Sequence, residues 1–153
     1  MSSERHVEVV TALQAASRIS VTRTVRYQEA VAARLGIHPT DLNCLNLLQL
    51  HGPLTAGQLA EQVGLTKGGA ITAALDRLER AELVARERDP GDRRRLVVRV
   101  RPEAIERVAP MMPGDVWDEM YADYSDDELA LVVEFTERSN ALVQRLTDRL
   151  SRD

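Results

Sequence analysis

From Val7 to about Leu35 the chain has no proline or glycine, and Val10, Leu13, Ile19, Val25 and Val31 recur at loosely helical spacing. One long helix is predicted there, ended by Gly36. His38-Pro39-Thr40-Asp41 opens a second helix, in which Leu42, Leu45, Leu47, Leu48 and Leu50 are apolar over much of the surface, and Gly52-Pro53 stops it. A helix that is apolar most of the way round belongs at the centre of a fold. Thr55-Ala56-Gly57-Gln58 has the spacing of a capping box, and Leu59, Ala60 and Val63 give the short helix behind it an inner face. Gly64 makes a turn, and Thr66 is placed to cap a further helix running to about Arg80. Ile71, Ala74, Leu75 and Leu78 form its apolar stripe, spaced i, i+3, i+4 and i+7, with Gly69, Thr72, Ala73, Asp76, Arg77 and Arg80 opposite.

Beyond Leu83 the period changes. Val84 to Arg88 and Leu96 to Arg101 read as strands, the second with Leu96, Val98 and Val100 alternating against Val97, Arg99 and Arg101. The turn residues between them belong to Asp89-Pro90-Gly91-Asp92-Arg93-Arg94-Arg95. Pro102 and Glu103 start another helix, interrupted near Pro110, Pro113 and Gly114. Ser125-Asp126-Asp127-Glu128 is a second capping box, ahead of a last helix through Leu129, Val132, Val133, Phe135, Leu142, Val143, Leu146 and Leu150. The predicted fold is mainly α with one small antiparallel β-ribbon.

Composition agrees with packed helices: 44% of the 153 residues are hydrophobic but only 3% are aromatic, so Leu, Val, Ile and Ala must build the core. No apolar run reaches the ~18 residues a membrane span needs, and no signal-type stretch follows Met1, so a cytoplasmic protein is expected. Cys44 is alone, excluding an internal disulfide, and three scattered histidines lack metal-ligand spacing. Neither a metal nor another cofactor is expected. An enzyme is not expected either: no Gly-x-Ser-x-Gly elbow, Gly-Lys-Ser/Thr phosphate loop or metal-spaced His/Glu pair is present.

The net charge of −4 looks unfavourable for a nucleic-acid partner, but its distribution is uneven. Residues 1–101 hold 15 Lys+Arg against 11 Asp+Glu, a balance of +4; residues 102–153 hold 5 against 13, a balance of −8. The local field, rather than the sum, is what a phosphate backbone meets. Gly69, Thr72 and Ala73 leave the outer face of the helix from Thr66 small enough to approach a major groove. A first turn at Thr66 to Gly69 offers free amides and a partial positive charge, Lys67 adds a mobile cation, and Arg77 is placed to reach flanking backbone. Close helix packing is the alternative reason for Gly68 and Gly69, since each glycine in a helix costs roughly 1 kcal/mol against alanine. Arg93, Arg94 and Arg95 beside a tight turn suit a narrow, electronegative minor groove, although charge clusters at turns are often merely solvated. Asp92 is expected to pair with Arg94 and fix the loop.

These segments, in this order and spacing, resemble the MarR family of bacterial winged-helix transcription regulators. The resemblance rests on Leu54-Thr55-Ala56-Gly57-Gln58-Leu59-Ala60, Gly64-Leu65-Thr66-Lys67-Gly68-Gly69-Ala70-Ile71-Thr72, Leu75-Asp76-Arg77-Leu78-Glu79 and Asp89-Pro90-Gly91-Asp92-Arg93-Arg94, about a third of the chain. It implies a winged helix-turn-helix lobe over 37–101 and a helical dimerisation region from 1–36 and 102–153. It further implies a homodimeric repressor on a pseudo-palindromic promoter site of double-stranded DNA. Thr66, Lys67, Gly68, Thr72 and Arg77 would then contact bases or backbone, and Arg93 or Arg94 would enter the minor groove. Release by a small aromatic or phenolic effector is implied for many relatives, with Tyr27, His38, Trp117, Tyr121 and Tyr124 as candidate crevice residues; packing of helical junctions is the plainer role for them. Cys44, among leucines, is expected to be structural rather than redox-active. Where the family has Gly after the recognition helix, this chain has Glu82, which must adopt a costly conformation or end the helix differently. The alternative function is a winged-helix module for protein association, without specific DNA binding.

Overall fold

The computed structural model describes residues 2–65, 69–112 and 114–151. Helix α1 spans Ser2–Leu35, α2 Pro39–His51, α3 Ala56–Val63 and α4 Ala70–Arg80; strands β1 (Val84–Arg88) and β2 (Leu96–Val100) follow, then α5 (Pro102–Val108), a 3-10 turn (Ala109–Met111), α6 (Gly114–Tyr121) and α7 (Asp126–Leu150). The chain divides into two compact units, Met1–Met111 and Met112–Asp153.

In the first unit, α2 forms the centre as its leucines predict. Leu42, Cys44, Leu45 and Leu48 are buried with Leu59 of α3, Leu75 and Leu78 of α4, and Leu83, Val84 and Val98 of the ribbon. This core extends beyond 37–101 in both directions. Val31 and Ala32 of α1 join it, as do Ala104 and Val108 of α5. Fully burying one leucine is worth roughly 1.5–3 kcal/mol, so this cluster dominates the stability of the unit.

The helix ends are set locally. The Thr55 hydroxyl accepts from the Gln58 amide at 3.2 Å while the Gln58 side chain accepts from the Thr55 amide at 2.9 Å, completing the predicted box. His38 caps α2: its ring accepts from Thr40 N, and its own amide donates to the Asp41 carboxylate at 3.0 Å. The strands pair antiparallel, from Val84 opposite Val100 to Arg88 opposite Leu96. Leu54 bridges the far edge of β2 through two bonds with Val98, at 3.2 and 2.7 Å.

Strict alternation fails on β2. Val97 and Val98 are both buried, whereas Leu96 is 59% exposed, because it pairs with Arg88 at the tip end of the ribbon, one step beyond the core residue Val98. Glu82 has φ 58°, the one left-handed residue other than glycine among those described. The helix therefore ends in the left-handed geometry that glycine favours, with a side chain that geometry disfavours.

In the second unit, Ser125 and Glu128 close the other predicted capping box. Hydrogen bonds from the Ser125 backbone and hydroxyl hold the Glu128 carboxyl below the usual carboxylate range. Leu131, Phe135, Leu142 and Leu146 fall on one side of α7, and all four are exposed.

Candidate nucleic-acid interface

At 100° per residue, Leu75, Leu78 and Ala74 turn one side of α4 into the core. The opposite ridge carries Ala73, Asp76 and Arg80. Thr72 and Glu79 lie on one flank, and Arg77 lies on the other. Thr72, Ala73 and Arg80 are exposed, so the outward side of α4 combines two small side chains with one long cation.

The helix begins later than Thr66. Its cap is Gly69, left-handed at φ 72° with no side-chain cap, and the first helical bond runs from Ala73 N to Gly69 O at 3.0 Å. Gly69 thus precedes the helix and turns the chain into it, a conformation glycine adopts readily. The candidates Thr66, Lys67 and Gly68 lie outside the described residues.

Arg77 does not extend toward a flanking phosphate. Its guanidinium grips Asp41 of α2 in a fork, Nε to Oδ2 at 2.7 Å and Nη2 to Oδ1 at 2.6 Å. The Asp41 side chain is 0% exposed, and that of Arg77 is 40% exposed. The hydrogen bond to Asp41 raises the Arg77 pKa further above its ordinary value. The same carboxylate caps α2 through the His38 amide, so one buried group joins the two helices.

Arg86 of β1 holds the other flank. It pairs with Asp76 at 2.8 Å and with Glu79, whose second oxygen accepts from the Arg86 amide at 3.1 Å. Asp76 and Glu79 would otherwise present uncompensated negative charge beside a phosphate backbone. With Arg86 seated between them, this end of α4 is closer to neutral.

The wing tip is ordered by its acids. Asp89 accepts from Gly91 N at 2.8 Å, and Asp92 accepts from Arg94 N at 3.0 Å. Asp92 therefore fixes the loop through the Arg94 amide, where pairing with Arg94 was expected. Arg95 turns back to the α3 capping box, donating to Gln58 Oε1 at 2.8 Å, and Arg88 donates to the Arg93 carbonyl at 2.7 Å. Among the described residues, no hydrogen bond or ion pair engages the guanidinium of Arg93 or Arg94, and both residues are exposed.

Three residues that the sequence does not single out as contacts or supports matter here. Arg80 stands on the exposed ridge of α4, its Nε donating to Asp76 O at 3.2 Å. Arg86 and Asp41 are the two clamps. Helical periodicity already puts Arg80 on the outer face; the pairing of the clamps needs tertiary structure.

The aromatic candidates have local roles. In the first unit, the Tyr27 hydroxyl donates to the Met111 carbonyl, and the His38 ring serves as a helix cap. In the second, Trp117 and Tyr121 stack with centroids 6.2 Å apart. Cys44 is fully buried; desolvation first, then the Asp41 charge, push its thiol up to about 11. Such a thiol is protonated and unreactive near neutrality.

Residues 37–96 match the model of the MarR family. YcgE, a HTH-type transcriptional regulator of Bacillus subtilis (strain 168), is 36% identical over 131 residues, covering 84% of each chain. The chain belongs to the MarR family. MhqR, a HTH-type transcriptional regulator of the same organism, is 30% identical over 105 residues, covering 67% of this MarR-family chain and 72% of MhqR. The crystal structure of AbfR of Staphylococcus epidermidis superposes with a TM-score of 0.59 at 17% identity, covering 94% of this chain and 99% of that one, and so shares the winged-helix fold. As a MarR-family member, the protein is a DNA-binding transcription regulator.

Proposed function

We propose that this MarR-family protein is a homodimeric repressor that reads a pseudo-palindromic operator, with α4 in the major groove and the wing in the minor groove. The observation that carries this reading is the pair Arg93 and Arg94, exposed at an ordered tip and with guanidinium groups unengaged among the described residues. Arginines held in that state enter a narrow, electronegative groove without breaking existing bonds. The ridge of Thr72, Ala73 and Arg80 supplies the second contact surface. Gly69 caps the end of the helix that meets the backbone in this reading, and Arg95 supports the wing from Gln58. Reduced AbfR, which shares the fold, has been solved bound to DNA.

Dimerisation is supported by the apolar stripe of α7, where Leu131 and Leu142 are 67% and 49% exposed in the single chain. A second copy covering such a stripe would bury it, and two-fold symmetry would then be mirrored in the operator. Release by a small aromatic or phenolic molecule belongs to the same reading; the exposure of Trp117 and Tyr121 within the second unit supports it.

Selection of sites from random duplex DNA tests this directly. The expected product is a palindrome with half-sites roughly one helical turn, ~10 bp, apart. Recovery of no duplex, together with capture of a protein partner, would favour the protein-association module instead. Addition of simple phenols to the recovered complex should raise its Kd; an unchanged Kd across the panel removes the phenolic effector.

A further inference from the structure

We propose that Asp41 is a positioning residue for DNA recognition, acting through Arg77 to set the angle at which α4 is presented. This inference rests on the DNA-binding reading above. Arg77 leaves α4 on the flank facing α2 and closes a two-point fork on a carboxylate that is wholly removed from solvent. A fork fixes two atoms against two, so it restrains rotation of α4 about its own axis as well as its distance from α2. Asp41 is itself immobilised, as the third residue of α2 and part of the cap with the His38 amide at 3.0 Å. The opposite flank is restrained by Arg86 through Asp76 and Glu79.

The arrangement makes a distinction that sequence position conceals. Arg77 stands on the recognition helix, yet its charge is met inside the protein. Removing it should disturb base reading without removing a phosphate contact. Rotation of α4 by one-tenth of a turn would move Thr72, Ala73 and Arg80 by more than 1 Å, since side-chain atoms stand some 5 Å or more from the axis. Base readout depends on alignment at that scale; non-specific attraction to phosphates does not.

The test uses the full chain, a palindromic duplex selected with the wild-type protein, and a scrambled duplex of equal length. Asp41→Asn keeps the shape but removes the charge, and Arg77→Lys keeps the charge but removes the fork. Each is measured by fluorescence anisotropy over a salt series, at a temperature where circular dichroism shows it fully folded.

For both variants, binding to the selected duplex should weaken at least about tenfold while binding to the scrambled duplex stays within about twofold. The slope of log Kd against log salt should match wild type, since a lost phosphate contact would change it by about 0.9. A second variant guards against misfolding: if Asp41→Asn does not fold, Arg77→Lys carries the test alone. Wild-type discrimination in a folded variant would overturn the inference, as would a loss shared equally by both duplexes with a reduced slope. Failure of the wild-type protein itself to bind any duplex would instead overturn the DNA-binding reading, and this inference with it.

Discussion

The recognition helix and the wing tip both carry arginines, but the two regions use them in opposite ways. On α4, Arg77 is forked to a buried carboxylate, and the helix's own acids are met by Arg86. At the tip, Asp89 and Asp92 bind backbone amides, and their neighbours Arg93 and Arg94 keep unengaged guanidinium groups. In the first region acids are answered by arginine side chains; in the second they are answered by the main chain. The tip therefore retains charge for a ligand, while α4 is held rigid and brought near neutrality. Counting cations along a sequence would rank Arg77 with Arg93, and the structure separates them.

The strongest way to break this contrast is Arg77→Ala. Leaving Asp41 buried without a partner should destabilise the protein by about 3 kcal/mol, the low end of the range for a broken buried pair because the guanidinium is partly open to water. Urea unfolding measures it; a loss within 0.5 kcal/mol would place Arg77 with the exposed arginines. Arg86→Ala should cost less, about 1 kcal/mol, since its partners are partly solvated. It should also weaken duplex binding by exposing Asp76 and Glu79. Equal affinity would mean that this charge does not reach the bound backbone.

Glu82→Gly examines the end of the same helix without touching its cations. Relief of the left-handed strain should raise stability by about 0.5–1 kcal/mol in thermal unfolding. A loss of stability would show that interactions of the Glu82 side chain outweigh the strain. Replacement should leave the bond from Arg107 to the Ala81 carbonyl in place.

The smallest effect lies beside Asp41. Because folding raises the Cys44 thiol from 9.0 to about 11, the folded state holds its proton more tightly than the unfolded state does. The stability this provides is complete below pH 9 and is lost as pH rises toward 11. The margin by which wild type exceeds Cys44→Ala should narrow over that interval. A constant margin would indicate that the thiol does not titrate separately in the two states.

How far the sequence carried depended on the range of the interaction. The capping boxes at Thr55 and Ser125 are three-residue relations, and both form as spaced. The core stripe of α4 follows from helical period alone; Ala74, Leu75 and Leu78 are buried, with Ile71 packed at the margin. By residue type Thr66 predicts an earlier start for α4 than the structure has, where the described cap is a left-handed glycine that needs no side chain. The Asp41–Arg77 fork joins residues 36 positions apart, and neither helix considered alone requires it. The sequence places Arg77 on the outward side of α4 but does not show that Asp41 meets its charge. Asp92 was recognised as fixing the loop, but its partner is an amide because an aspartate two residues ahead of an N–H closes a turn more tightly than it reaches a long arginine.

In this reading the wing-tip arginines Arg93 and Arg94, rather than those held inside the lobe, provide the electrostatic grip on DNA. Its most direct test is the salt dependence of duplex binding for the Arg93→Ala/Arg94→Ala double variant. The variant should unfold at the wild-type temperature, bind the selected duplex at least about a hundredfold more weakly, and show a slope of log Kd against log salt shallower by at least 0.9, roughly one contact's worth of released counterions. A stable variant with the wild-type affinity and slope would contradict the account.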